Sequence, residues 1–364
     1  MAPVANLPTP DFTFDPNAPG ACIAGVRPWR KTAYRLEGKA DSGRFVVHNY
    51  GHGGAGITLS WGCAAKVRDI VALHLGTPAG KPVAVLGAGV MGLTAATLLR
   101  EIGCVVTIYS DRKPVETTSH KAGGQWAVSV VEFQSKEAEL KDILKFAYKR
   151  FKDSIGQGFG VSERSNYTAT ESHNLDVVEQ LVPGLLPPRA LLPRLPFEGH
   201  TKPGFEYKTL LIEPPIFLPK LEADLNASGA TFKFLPQKFA SKAEILAKVP
   251  DNTIVNCTGF GAKALWGDNN LVPIQGQLAM LKPGQPGLEY LYGQDGYMFP
   301  RADAVVIGGT FDEGVNSEVP NKAKCNSLVD HIKSLFGQAP VKPLIASHIH
   351  HPQHAEKVNP AIPA

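Results

Sequence analysis

Sulfur is scarce in this chain and badly placed for cross-linking. The five cysteines, Cys22, Cys63, Cys104, Cys257 and Cys325, are odd in number and form no CxxC pair. A disulfide-rich secreted scaffold is therefore excluded, and a thiolate metal cage has no support. Long apolar runs are also missing. The most apolar stretch, 83–99, is broken by glycines and is shorter than the roughly 20 residues that span a bilayer. The first twenty residues lack a basic-then-apolar signal pattern. We expect a soluble intracellular protein with no membrane partner, the cytoplasm and the peroxisome both remaining open. Charge of either sign is modest: 37 Lys and Arg against 33 Asp and Glu, for a net +4 with no long basic block. That balance points to no nucleic-acid partner. No internal repeat is present.

The chain does have 43% hydrophobic residues, 36 glycines and 30 prolines over 364 positions. This excludes bulk disorder and suits two domains better than one. Glycine at this density suggests tight turns and close approach of backbone to a ligand. Residues 1–21 and 346–364 read as irregular termini. The sequence RFVVHNY at 44–50 reads as a strand, and GHGGAG follows as a tight loop. The next segment turns helical through 62–75, with Ala64, Val67, Ile70 and Val71 on one face. A helix is expected within 133–153 along Leu140, Leu144, Ala147 and Phe151. The proline-dense stretch 181–200 reads either as a covering loop or as a plain surface crossing. From 272 onward, short alternating segments predict an antiparallel sheet.

The clearest unit is 82–112. PVAVLG is an apolar strand, Gly87-Ala88-Gly89-Val90-Met91-Gly92 is a glycine turn, LTAATLLREIG is a helix, and VVTIYSD is a second strand. In such a β–α–β unit the first glycine allows the turn. The second lets backbone approach a pyrophosphate, and the third lets helix and strand pack closely. The helix N-terminal amides, including those of Val90 and Met91, then face phosphates. Asp111 ends the second strand 19 residues after Gly92 and suits an adenosine ribose hydroxyl. Arg112 suits phosphate or adenine. Thr117, Thr118 and Ser119 offer hydroxyls to a pyrophosphate, and Gly123 and Gly124 permit backbone close to a flat ring. NAD and FAD share this fingerprint, so the motif alone does not choose between them.

Several segments together resemble the D-amino-acid oxidase family, which includes the D-aspartate oxidases. They are VAVLGAGVMGLTAA, YSDRKPVETTSHKAGG, IVNCTG, IGGTF, GVRPWR and VVHNYGHGGAGITLSWGCA. The resemblance implies an α/β fold with a Rossmann-like FAD-binding domain and a second, antiparallel-sheet substrate domain. On that basis 22–130 with about 205–272 form the FAD domain, and about 131–204 with 273–345 form the other. The blocks are out of family order. GxRP and HNYGHGG close the family's chains but come first here, so the chain reads as circularly permuted, with TPAGK joining the old ends.

The resemblance implies FAD as cofactor and a D-amino acid, or a related small amino acid, as substrate. Molecular oxygen is the implied acceptor, giving a 2-oxo acid, ammonia and hydrogen peroxide. Arg27 of GVRP is placed on the substrate carboxylate, where a guanidinium makes two parallel charge-assisted bonds. Tyr297 of GYMFP reaches the same carboxylate. Gly53, Gly54, Ala55, Gly56, Ile57 and Thr58 wrap the flavin's pyrimidine end. His52 reads as a structural hydrogen-bonding residue rather than a base. The family's further tyrosine, four residues before Tyr297, is Gly293 here with Tyr292 beside it, so either the register shifts or the pocket opens there. Ala127 stands where a glutamine is frequent, with Gln125 nearby. Neutral, acidic and bulky side chains all remain open. His348, His350, His351 and His354 read as a polar tail rather than a metal site. A homodimer is compatible with the resemblance. The alternatives are a flavin dehydrogenase, an oxidase of another small amine such as glycine or an N-methyl amino acid, and a binding protein without turnover.

Overall fold

The computed structural model describes residues 6–169 and 173–337. Two sheets organise them, with elements numbered here in chain order. The first sheet has six strands in the order β2 (Arg35–Asp41), β3 (Arg44–Tyr50), β10 (Thr253–Asn256), β4 (Pro82–Leu86), β5 (Val105–Ser110) and β9 (Thr231–Phe234). β2 pairs antiparallel with β3, and every other pair is parallel. β10 and β4 are buried almost throughout, as parallel strands covered on both faces must be.

The second sheet has nine strands. Its path runs β1 (Cys22–Arg30), β11 (Leu271–Leu281), β14 (Val305–Gly308), β13 (Tyr297–Pro300), β12 (Leu291–Gly293), β6 (Val161–Thr168), β8 (Gly204–Ile212) and β7 (Ala190–Leu192), with β15 (Asp312–Glu313) joined to β11. It is antiparallel except where β12 meets β6. The predicted α/β class with a largely antiparallel second sheet is therefore what the chain adopts.

The helices are α1 (Gly56–Leu75), α2 (Val90–Glu101), α3 (Glu137–Asp153), α4 (His173–Leu181), α5 (Pro214–Ala227), α6 (Lys242–Lys248), α7 (Ala262–Trp266) and α8 (Lys322–Leu335). α1 packs against both α2 and α3, and α5 against α2. Their shared core includes Trp61, Val67, Leu93, Leu98, Leu144 and Phe151. A second core lies between α8 and the nine-stranded sheet, where Phe197, Tyr290, Tyr292, Ile332 and Phe336 meet.

Several boundaries differ from those read in the sequence. β1 and β8 were grouped with the nucleotide unit, yet both belong to the nine-stranded sheet. Their partners, β11 for β1 and β6 for β8, are distant in sequence, and local pattern carries nothing about them. α3 was grouped with the substrate unit, yet it lies on α1, because its apolar stripe of Leu140, Leu144, Ala147 and Phe151 fits there. The stretch 181–200 is a crossing: Phe197 is sealed in the second core and no residue of the stretch lines the main cavity. Residues 6–21 form no helix or long strand, but Phe12 is buried and Tyr290 donates to the Pro8 carbonyl. The tail histidines lie outside the described residues.

The crossing of α1 and α3 is close enough to need glycine. A β-carbon on Gly62 would stand 2.6 Å from Ile143 Cα, backbone that cannot move aside cheaply. Gly62→Val should therefore lower the unfolding free energy by about 1–3 kcal/mol or more. Denaturant unfolding checks this, and an unchanged midpoint would mean the crossing is looser than described.

Candidate active site

One cavity of about 930 Å³ runs from the end of β5 across the ends of β4, β10 and β3 to the face of the second sheet. At its nucleotide end, Gly87 takes φ 104, and a β-carbon there would press on the Cys257 carbonyl 2.5 Å away. Gly89 is the N-cap of α2 and has no side chain to cap the helix. The first residues, Val90 and Met91, line the cavity. Ser119 reaches across, its hydroxyl accepting from the Val90 amide at 3.0 Å. The glycine turn and the 117–119 segment thus form one wall, which suits a pyrophosphate. Thr117 and Thr118 also line it, with the Thr117 hydroxyl donating to the Pro114 carbonyl.

Asp111 and Arg112 line the same end, with 3.5 Å between their charged groups. Arg112 also donates to Glu318 at 2.7 Å, and Lys121 donates to Glu318 at 2.8 Å. Burial opposes ionisation of Glu318, but the hydrogen bonds from Arg112 and Lys121 prevail and hold its carboxyl below the usual range. Sequence reasoning missed Glu318 and Lys121. The carboxylate lies 206 residues beyond Arg112, and no local pattern connects them.

At the ring end, β3 feeds a tight loop into α1. Gly53 has φ 53, and its amide donates to the Pro28 carbonyl. The Gly54 amide donates to the carbonyl of Val130, itself at φ 53. Segment 127–131 therefore clasps the loop, and Ser129 and Val130 line the cavity unforeseen. The N-cap of α1 is Ala55, again without a side-chain cap. Gly56, Ile57 and Thr58 open onto the cavity. The Thr58 hydroxyl both donates to and accepts from the Ala127 backbone, so it ties the clasp to α1. Ala55 itself is buried and off the wall, as is Gly92, whose missing side chain lets α2 sit against the Gly87 carbonyl.

His52 is a buried support. Its ring stacks on Tyr34 at 5.1 Å, and Nε2 lies 3.3 Å from Cys63 Sγ. Burial drives its pKa down to about 3, so the ring is neutral. Asn49 is fully buried, lines the cavity and has no protein partner for Oδ1 among the described residues. Such an acceptor fits a ligand hydroxyl. Two uncapped helix starts, this orphan acceptor and the glycine walls together fit a long dinucleotide with a flat ring, as FAD has.

On the second sheet, Arg27 of β1 and Tyr297 of β13 both line the cavity and lie close enough to interact directly. Arg27 Nη1 donates to the Thr310 carbonyl at 3.0 Å. Burial pushes the Tyr297 phenol up, partly countered by the Arg27 charge and hydrogen bond. Tyr297 stacks on Phe299 at 4.3 Å, and both rings lie against Gly123. Gly124, at φ 107, has no space for a β-carbon beside the Ile212 carbonyl. Tyr292 points away into the second core, and Gly293 lines the cavity instead. The pocket is thus open where a further tyrosine was one of two expectations.

The neutral histidines set a pH dependence. His52 has a folded pKa near 3, and His48, also depressed mainly by burial, one near 4, against 6.5 as the ordinary value. The unfolded chain binds these protons first, so their contribution is complete above about pH 6.5 and is lost as pH falls toward the folded values. Denaturant midpoints should drop from pH 6.5 to 4, and His52→Gln should flatten that slope. Parallel curves for the two proteins would remove His52 from this role.

Residues 82–352 match the family described as DAO, FAD dependent oxidoreductase. The chain is 27% identical over 263 residues to a D-amino-acid oxidase of Rubrobacter xylanophilus, covering 69% of this chain and 76% of that one. It is 29% identical over 265 residues to a D-amino-acid oxidase of Streptomyces coelicolor, covering 70% and 77%. It is 26% identical over 247 residues to the D-aspartate oxidase of Homo sapiens, covering 64% and 69%. Among solved structures, the glycine oxidase from Bacillus cereus superposes with a TM-score of 0.52 at 16% identity, over 70% of this chain and 77% of that one, a likeness of fold. No helix among the described residues is long and apolar enough to cross a membrane. With its family match extending over most of its length, and a cavity suited to the cofactor, the chain belongs to the FAD dependent oxidoreductases of the DAO family.

Proposed function

We propose that this protein oxidises D-amino acids to 2-oxo acids, ammonia and hydrogen peroxide. The observation that carries the reading is the pairing of Arg27 and Tyr297 in the same cavity as the two uncapped helix starts. FAD, when bound, supplies a two-electron acceptor for the hydride leaving Cα, and oxygen returns it to the oxidised state with release of hydrogen peroxide. The imino acid then takes up water and loses ammonia.

The chain's own residues supply position and charge. Arg27, fixed on one prong by the Thr310 carbonyl, offers its remaining N–H groups to the substrate carboxylate. The Tyr297 phenol, kept protonated by burial, can donate to the same group. The α1 N-terminus places a helix's positive end where the flavin's pyrimidine ring is expected, which favours negative charge there. Preference for the D enantiomer draws its support from the relatives' activities.

We also infer that the block order is a circular permutation. Residues 22–50 supply strands to both sheets, α1 then packs on α2, and only 76–81 separate α1 from β4. The family match beginning at residue 82 supports this reading. A chain recut to begin at Lys81, with residues 6–76 following residue 364, should still fold and bind flavin. A recut chain that is insoluble while the parent is soluble would count against it.

The decisive experiment is anaerobic flavin reduction in stopped flow. D-alanine or D-methionine should bleach the flavin, and L-alanine, glycine and sarcosine should do so far more slowly. Arg27→Leu removes one charged partner, a loss of roughly 2–5 kcal/mol. kcat/KM should then fall about thirtyfold or more while flavin stays bound. Equal reduction by L-amino acids, or unchanged reduction in the leucine variant, overturns the reading.

A further inference from the structure

The substrate's side chain meets a wall whose charge is unbalanced. Arg27, Arg112, Lys121 and Lys238 are the cations lining the cavity among the described residues. Arg112 and Lys121 are both tied to Glu318. Lys238 follows β9, whose Phe234 pairs with Ser110 at the end of β5. These three therefore belong to the nucleotide end. Arg301 lies behind Tyr297, off the cavity wall, with Nε and Nη2 on Asp303 and Nη1 on the Ala122 carbonyl. Once Arg27 holds the α-carboxylate, no second cation remains for an acidic side chain.

The acceptors, by contrast, are present. The turn from β12 to β13 brings Gln294, Asp295 and Gly296 to the cavity beside Gly293. Asp295 is exposed at the mouth, two residues from Tyr297, and holds φ 44. No lysine or arginine pairs with its carboxylate among the described residues. His331, close behind the turn, is held below its ordinary pKa chiefly by burial and adds no countercharge near neutral pH. Deeper in, Gln125 donates its side-chain amide to Asn166 Oδ1 at 3.1 Å and to the Tyr207 hydroxyl at 3.4 Å. What Gln125 offers the cavity is its carbonyl oxygen, another acceptor.

We propose that Asp295 is a specificity-determining residue that makes this site select D-amino acids with a cationic side chain, such as D-lysine and D-arginine, over D-aspartate and D-glutamate. The inference rests on the D-amino-acid oxidase reading above. A side chain long enough to reach the mouth meets a carboxylate left free of protein cations, and the open position at Gly293 gives it passage.

The test compares D-lysine with D-norleucine, its uncharged counterpart of similar length, and with D-glutamate. Flavin reduction and kcat/KM are read for the parent, for Asp295→Asn and for Asp295→Lys. Asparagine tolerates the left-handed backbone, so the turn is retained; flavin content and spectrum confirm the fold. In the parent, D-lysine should exceed D-glutamate by at least about tenfold. The D-lysine to D-norleucine ratio should fall about threefold or more in Asp295→Asn, mainly through KM, as expected for loss of one partly exposed charge pair. In Asp295→Lys the preference should shift toward D-glutamate. A purely structural role would move D-lysine and D-norleucine together and leave their ratio unchanged, which overturns the proposal. So would a parent that favours D-glutamate. If D-amino acids are oxidised but the D-lysine to D-norleucine ratio does not respond to Asp295, this inference alone fails; if no D-amino acid reduces the flavin, the functional reading fails and takes this inference with it.

Discussion

Two helices that begin without a side-chain cap, α1 at Ala55 and α2 at Gly89, set the terms for everything around them. Neither has an acidic residue in its first turn. A missing cap typically costs about 1 kcal/mol, and here it is missing twice. In exchange, both helices present a positive dipole end to the same cavity, and at α2 the Ser119 hydroxyl takes only the Val90 amide. The two starts nearly touch: a β-carbon on Gly56 would reach Val90 at 4.0 Å. That closeness follows from topology. α1 is fed by β3 and α2 by β4, and these strands flank β10 as its two parallel neighbours. The crevice beyond the carboxyl ends of such strands is where an open α/β sheet binds its ligand.

Much of this was legible locally. PVAVL, the glycine turn and the following helix fall where the pattern predicts, because strand, turn and helix there are decided within about twenty residues. Arg27 and Tyr297 were identified through motifs 270 residues apart, a pairing that local chemistry alone could not propose. What stayed hidden was decided by partners rather than by neighbours. β1 has an ordinary strand pattern, and only its register with β11 assigns it to the second sheet. Glu318 sits in an unremarkable loop until Arg112 and Lys121 converge on it. Val130 is β-branched, a type that rarely adopts positive φ, yet the clasp around Gly54 holds it at φ 53.

The clamp on the second sheet shows why glycine stands within its strands. Tyr297 lies directly across from Gly308 in the β13–β14 register, and a β-carbon on Gly308 would fall onto the phenol ring. A β-carbon on Gly276 of β11 would likewise fall onto the Arg27 guanidinium. Each functional side chain therefore lies flat over a neighbouring strand at a place where only glycine leaves space. Glycine within a strand costs roughly 0.5–1 kcal/mol, and turn formation cannot account for it at either site. The flat posture fixes direction. A guanidinium standing upright from an edge strand such as β1 would sweep through several rotamers, and ordering it on binding would cost entropy. Laid over Gly276 and bonded to the Thr310 carbonyl, it is oriented before any carboxylate arrives. The same sheet geometry that gives Arg27 its aim thus also explains why β11 carries glycine in its middle at QGQ and why β14 ends on glycine in IGGTF.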